Sequence, residues 1–508
     1  MYAMCIIINV YYYHYNYLKG NNEMKKVLKL TMGSALCAVD LGDGSERGEY
    51  VSQDYILSKL GRPHRSISLM YCYYPLDKEF PGRISEVYKD KEVKFQWDYP
   101  YDDYFPYLGG IGGSTDGEPF TFMRDIRRHG QDVTLTLTID PFVTDEYLAA
   151  IGEDLKSFGR LFLRINHEAT GDWFEFCKRA DHQQVADFSC RAVKIIKEHA
   201  PNVQTVLCIG GVEDISSEEM VMEKEFTQAV RDTDIWSVDK YLALHWGWPC
   251  DIAESGGTTH CRYSVREVFE LTKRSYERFR YLCGGTSKPM IMSEMNADGD
   301  VAGPYEQADM VRLFCDIIEE ENADWFTGFT FYQFRDRGRL GLEREDPNNA
   351  DVGIEQPVMK TYREIINRER FLPSMTVGEE TELPVKLRWG SSEDAEGIAV
   401  PLHFEAAPVF CELFFRDDSN LMLELNGRWF YKAPETKYID LMPAFYEKPV
   451  DGSCDMLLKI FAPPASGEND LSAEDGMFNY YYVLKGLPEI RIRTAPTEPD
   501  KDITEGNT

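Results

Sequence analysis

Two glutamates stand where a carboxylate is costly to bury. The run Arg160-Leu161-Phe162-Leu163-Arg164-Ile165-Asn166-His167-Glu168 is apolar for most of its length and ends on an acid. Pro289-Met290-Ile291-Met292-Ser293-Glu294-Met295-Asn296 does the same. Desolvating an unpaired carboxylate in a strand costs several kcal/mol, of order 2–5, so two such runs point to chemistry. Facing carboxylates can split a glycosidic bond, one giving a proton to the leaving oxygen while the other acts at the anomeric carbon. Strict alternation along the first run places Arg164, Asn166 and Glu168 on one face. That sets a cation and an amide beneath the acid; an Arg164–Glu168 ion pair that only satisfies a buried position is the plainer alternative.

Elements that could position such a pair recur along the chain. Eight strands are predicted at Val27–Val39, Ser66–Tyr74, Val133–Asp140, Arg160–His167, Val203–Ile209, Lys240–Trp246, Pro289–Met295 and Thr327–Phe334. Helices are predicted at Ser52–Leu60, Thr121–Gly130, Gln183–His199, Ser264–Cys283 and Tyr305–Glu320. In Gln183–His199 the apolar residues Val185, Phe188, Cys190, Val193, Ile195 and Ile196 lie roughly along one side. Strands alternating with helices imply parallel pairing through crossovers, and eight alternations suit an α/β fold of the (β/α)8 barrel type. In that barrel both glutamates fall at C-terminal strand ends, the fourth and the seventh. A doubly wound sheet is the rival, but Gly109–Gly113 follows an aromatic loop and not a strand, so it reads as a turn.

From about Leu372 the texture changes to short alternating strands broken by Gly, Pro, Asn and Asp. Val385–Trp389, Val409–Phe415, Leu421–Leu425 and Met456–Phe461 are examples, and they predict a C-terminal antiparallel β-sandwich. The expected division is an N-terminal extension over 1–26, a catalytic barrel over 27–370, the sandwich over 371–494 and a disordered tail over 495–508.

A formal net charge of −31 over 508 residues excludes binding driven by phosphate contacts, so neither nucleic acid nor an anionic membrane is an expected partner. Twelve scattered cysteines include no Cys-x-x-Cys pair, which argues against a structural zinc site and for a reducing compartment. The acidic stretch around Asp336, Asp346, Asn348, Asn349 and Asp351 lacks EF-hand spacing. Neither metal nor cofactor is expected. The apolar residues 5–13 are too short to span a bilayer and have no small-residue cleavage site. Met24 therefore reads as the more natural start and the chain as cytoplasmic, with secretion as the alternative.

His167-Glu168-Ala169-Thr170-Gly171-Asp172-Trp173-Phe174 resembles the fourth-strand motif of glycoside hydrolase family 26, the mannanase and lichenase group of clan A. In that motif a His-Glu pair is followed by Gly and an aromatic pair. Lys288–Glu294 is similar to the clan's seventh-strand motif, a Lys-Pro, an apolar strand and then the nucleophile. The resemblance covers about residues 60–365. It implies a retaining β-glycosidase acting on β-linked mannose- or glucose-type saccharides, with Glu168 as acid/base and Glu294 as nucleophile, about 5–5.5 Å apart. It further implies that His167 bonds near the cleavage point and that Trp173 stacks on a sugar face. Family 26 typically has a tyrosine touching the nucleophile from the sixth strand; the expected strand end here offers His245, Trp246 and Trp248. Arg164, Asn296, Tyr332 and Gln333 complete the expected substrate-binding set, with Tyr332 or Phe334 flooring the reactive subsite. The aromatic and acidic loop Trp97–Tyr107 could wall another subsite. Other clan A activities (β-xylosidase, β-glucanase, β-galactosidase) would share both glutamates, and an inactive glycan-binding barrel would need neither. Homo-oligomerisation stays open.

Overall fold

The computed structural model describes residues 26–44, 50–82, 104–243, 263–336, 338–349, 351–390, 394–469 and 479–495. Eight parallel strands close into a barrel: Ala38–Gly42, Ser66–Tyr73, Asp132–Ile139, Leu161–Ile165, Val203–Cys208, Ile235–Ser237, Met290–Met295 and Phe326–Phe331. The first strand pairs with both the eighth (Ala38 opposite Gly328) and the second (Leu41 opposite Ile67), which closes the ring. Most strand residues are buried on both faces, so the strands read as near-continuous apolar runs. Polar residues that do enter are paired. Ser66 and Thr134 hydroxyls bond over 2.7 Å, and Arg164 Nε donates to Thr136 Oγ1 over 2.7 Å.

Helices cover the outside where their apolar faces predict. His182–His199 buries Val185, Phe188, Ala192 and Ile196, a spacing that keeps one face inward, while Cys190, Val193 and Ile195 pack at its margin. Its start is fixed by a capping box, Asp181 with Gln184; Ser264 and Glu267 do the same for Val265–Leu282. Gln53–Leu60 stops at Gly61, whose φ of 76° is a left-handed conformation that glycine adopts without a Cβ clash. Asp145–Leu155 and Glu223–Asp232 supply crossovers absent from the predicted set.

Two strand predictions are corrected. The stretch Val27–Val39 divides: Lys26–Met32 pairs antiparallel with Met375–Glu382 and Ala395–Phe404, outside the barrel, and only Ala38–Gly42 is the first barrel strand. Both halves are apolar, and only their partners, far away in sequence, tell them apart. The sixth strand is Ile235–Ser237, ahead of the expected Lys240–Trp246, of which residues 244–246 lie outside the described residues.

Beyond the barrel, an eight-stranded antiparallel sheet faces the three-stranded sheet Tyr438–Asp440, Pro408–Phe414, Glu489–Thr494. Val27, Ile398, Leu402, Leu423 and Ile460 from the first meet Cys411, Leu413 and Ile492 from the second in one core. This sandwich packs on segments that lead into barrel strands. Trp429 N–H bonds Gly61 C=O at 2.8 Å, Asn420 bonds Arg128 C=O, Asn469 N–H bonds Ser157 C=O, and the His129 ring lies 3.7 Å from that of Tyr431. It therefore covers the N-terminal end of the barrel and leaves the opposite mouth to the loops that follow the strands. Among the described residues no helix is long and apolar enough to cross a membrane.

Candidate active site

At the fourth strand end the chain leaves extended geometry sooner than alternation assumes. Leu161–Ile165 is the strand; Asn166 and Glu168 then take positive φ values of 49° and 48°. Asparagine tolerates that region well, glutamate less so, and such local strain is concentrated at functional sites. The turn redistributes the side chains expected beneath Glu168. Asn166 is fully buried and braces the third strand, its Oδ1 accepting Ile139 N–H at 2.6 Å and its Nδ2 donating to Ile139 C=O at 3.2 Å. Arg164 serves the other glutamate: Nη2 lies 3.0 Å from Glu294 Oε1. Arg164, expected beneath Glu168, thus pairs with Glu294, and the alternative Arg164–Glu168 ion pair does not form.

Glu294 is held from every side. His167 Nε2 is 3.0 Å from the same Oε1, and Tyr241 Oη donates to Oε2 over 2.6 Å. Its backbone N–H bonds Asp239 Oδ1 at 2.8 Å, an oxygen that also accepts the Ser293 hydroxyl. Burial alone would push this carboxyl up. The His167 imidazolium, the Arg164 guanidinium and the Tyr241 hydroxyl overrule it and hold the pKa at about 2. Glu168 has the opposite balance. Burial raises it to about 7; the charge on His167 works against this, and the negative charges of Glu294 and Asp239 add to it. Its side chain remains 26% exposed, against 8% for Glu294, so the acid faces the mouth and the anion lies below. His167 is driven down by burial and by Arg164, yet the two glutamates keep it well above its ordinary value and charged.

His167 bridges the pair, standing 3.0 Å from Glu294 Oε1 and 3.7 Å from Glu168 Oε2. Those oxygens are thereby bounded at roughly 7 Å apart, a limit that admits the close spacing of a retaining pair and little of the wider inverting range. Trp173 Nε1 donates to Glu168 Oε2 at 3.1 Å with its ring half exposed. Tyr332 sits at the eighth strand end, its ring edge-on to Tyr241 at 6.2 Å.

Others of the expected substrate-binding set are engaged by the protein itself or lie outside the described residues. Asn296 is fully buried and donates to the Tyr332 and Leu340 carbonyls, so it ties two loops together. Gln333, also buried, bonds Asp336 at 3.0 Å. His245, Trp246 and Trp248 lie outside the described residues, as do Trp97–Asp103 of the aromatic loop. Tyr104 is buried, with its ring 6.2 Å from that of Phe174.

Asp239 and Tyr241 were missed because the sixth strand was placed too late. The short apolar run Ile235-Trp236-Ser237-Val238, with Asp239 and Tyr241 just past its end, was the available signal. Tyr241 makes a tyrosine contact to Glu294 from just past the sixth strand, where the expected strand end had offered only His and Trp. Below it, His167 Nδ1, Cys208 Sγ and Asp239 Oδ2 lie within 4.8 Å of one another, a donor set that zinc accepts in other settings. Here the imidazole is charged and Arg164 Nη1 stands 3.4 Å from the same Asp239 oxygen, so the group fits a charge-balanced hydrogen-bond network and not a cation.

No family model matches the chain, and no curated protein matches it. Solved structures resemble it in architecture at low identity. A family 51 α-L-arabinofuranosidase from Bifidobacterium longum is 10% identical at a TM-score of 0.42, covering 87% of this chain and 98% of its own. A family 26 β-mannanase from Bacteroides ovatus is 10% identical at 0.39, covering 66% and 90%. A family 39 glycoside hydrolase from Bacteroides cellulosilyticus is 11% identical at 0.41, covering 84% and 81%. The side-chain geometry, and not these likenesses, carries the functional reading that follows.

Proposed function

We propose that the chain is a retaining β-glycoside hydrolase. The observation that carries this reading is the pair Glu168 and Glu294, bridged by His167 and pushed to opposite protonation states, one about 7 and the other about 2. At neutral pH Glu294 is an anion and can attack the anomeric carbon. Glu168 still holds its proton in a large fraction of molecules and gives it to the leaving oxygen as the C–O bond breaks. Ester formation removes the charge on Glu294, so Glu168 loses the neighbour that kept it protonated. It can then take a proton from the water that cleaves the glycosyl-enzyme, and two displacements retain configuration. Tyr241 and Arg164 orient the nucleophile, and Trp173, tied to the acid, offers its face to the sugar on the leaving-group side.

Mannose- or glucose-type β-linked oligosaccharides are the proposed substrates, on the resemblance of the His167–Phe174 motif to family 26. The test is turnover of aryl β-glycosides and of defined manno-, gluco-, xylo- and galacto-oligosaccharides, with the first-formed anomer read by NMR. A β-anomer from one of these series is expected. An α-anomer, or no turnover across the panel, refutes the proposal; preference for xylose or galactose would move it to another clan A activity.

A further inference from the structure

Glu168 has two carboxyl oxygens, and only one can carry the proton toward a leaving group. Trp173 Nε1–H points at Oε2 over 3.1 Å, and the charged His167 Nε2 stands 3.7 Å from that same oxygen. A proton on Oε2 would meet both donors head-on, so the acid's proton belongs on Oε1. The half-exposed indole is not fixed there by burial. What admits it is the residue over which it folds. The turn from Glu168 to Gly171 is rigid: Gly171 N–H bonds Glu168 C=O at 2.8 Å, Ala169 N–H bonds Cys208 C=O at 3.0 Å, and Thr170 Oγ1 accepts Gly210 N–H at 2.9 Å. A Cβ at position 171 would fall 2.6 Å from indole Cε2 and Cζ2 and 2.8 Å from Cη2. Cε2 is bonded directly to Nε1, so a methyl group there must drive the donating edge away from Glu168. Gly171 is not among the positive-φ glycines, so its use lies in the missing side chain and not in backbone freedom.

We infer that Gly171 is a positioning residue: by leaving room for the indole of Trp173, it sets which oxygen of Glu168 delivers the proton. The inference rests on the hydrolase reading for its catalytic consequence, though not for its geometry. In Gly171→Ala the indole swings outward and the carboxyl loses its orienting donor. The kcat/KM for glycosides with poor leaving groups should fall about tenfold, with little change in kcat/KM for dinitrophenyl glycosides, whose leaving group needs no acid in the first step. Because an N–H donor favours the carboxylate, its loss should also move the alkaline limb of the pH profile upward. Trp173→Phe should do the same, and the double variant should be no worse than Trp173→Phe, since both act through one contact. Equal loss across leaving groups, or additive losses in the double variant, would overturn the inference. A readout free of turnover is the indole N–H resonance of Trp173, assigned by its disappearance in Trp173→Phe. It should follow Glu168 ionisation in the parent chain and stop doing so in Gly171→Ala. A resonance that titrates alike in both refutes the positioning role even in an active enzyme. Absence of glycosidase activity with the expected NMR result would sink only the hydrolase reading.

Discussion

Replacing Glu168 by Gln should make the protein more stable at neutral and alkaline pH while crippling its acid catalysis. The folded state holds the Glu168 carboxyl at about 7, against an ordinary 4.5, because burial and the Glu294 charge disfavour its ionisation. The folded chain therefore binds this proton more tightly than the unfolded chain. The resulting penalty on folding is absent below about pH 4.5, grows as the pH rises toward 7, and is complete above it. The full shift corresponds to about 3 kcal/mol; with the side chain 26% exposed, roughly 2 is the better expectation. Gln cannot ionise, keeps a similar shape and still accepts the Trp173 N–H. Its melting temperature at pH 8 should exceed that of the parent by roughly 2 °C for a chain of this size, and the gap should close near pH 4. Differential scanning fluorimetry across that range is the assay. A variant less stable at pH 8, or a gap that does not shrink with acid, refutes the assignment of the raised pKa to Glu168.

Other outcomes follow from the same network. The parent's kcat/KM should fall as the pH rises through about 7, where Glu168 loses its proton, and should stay level on the acid side because Glu294 is held at about 2; activity that climbs beyond neutrality contradicts this. Tyr241→Phe removes the 2.6 Å bond to Glu294, so the carboxyl should rise from about 2 and kcat should drop roughly tenfold to a hundredfold with the fold intact, as read by steady-state kinetics beside circular dichroism. Arg164→Met leaves a buried anion without its cation and should cost about 3–5 kcal/mol in denaturant unfolding; a neutral effect would show that His167 alone balances Glu294.

What was legible in the sequence was what local chemistry records. Carboxylates closing the apolar runs at Glu168 and Glu294 stood out because desolvation makes them expensive there. Helices announced themselves by 3.6-residue periodicity and capping residues such as Asp181 and Ser264. Lys26–Met32 was misplaced because pairing with a strand some 350 residues away leaves no local trace. Ile235–Ser237 was missed because three residues carry too little periodicity. That one displacement hid Asp239 and Tyr241. Positive φ at Asn166 broke the alternation rule, so Arg164 lies beside Glu294 and not beneath Glu168.

The central claim is that Glu294 attacks the sugar. Incubating the full chain with a 2-deoxy-2-fluoro β-glycoside of its best substrate sugar, on a good leaving group, should accumulate the covalent intermediate. Intact mass spectrometry should then show one added fluoroglycosyl group per chain, and peptide mapping should place it on Glu294. A label on any other residue, or an unlabelled enzyme that hydrolyses the reagent by direct displacement, would contradict the account.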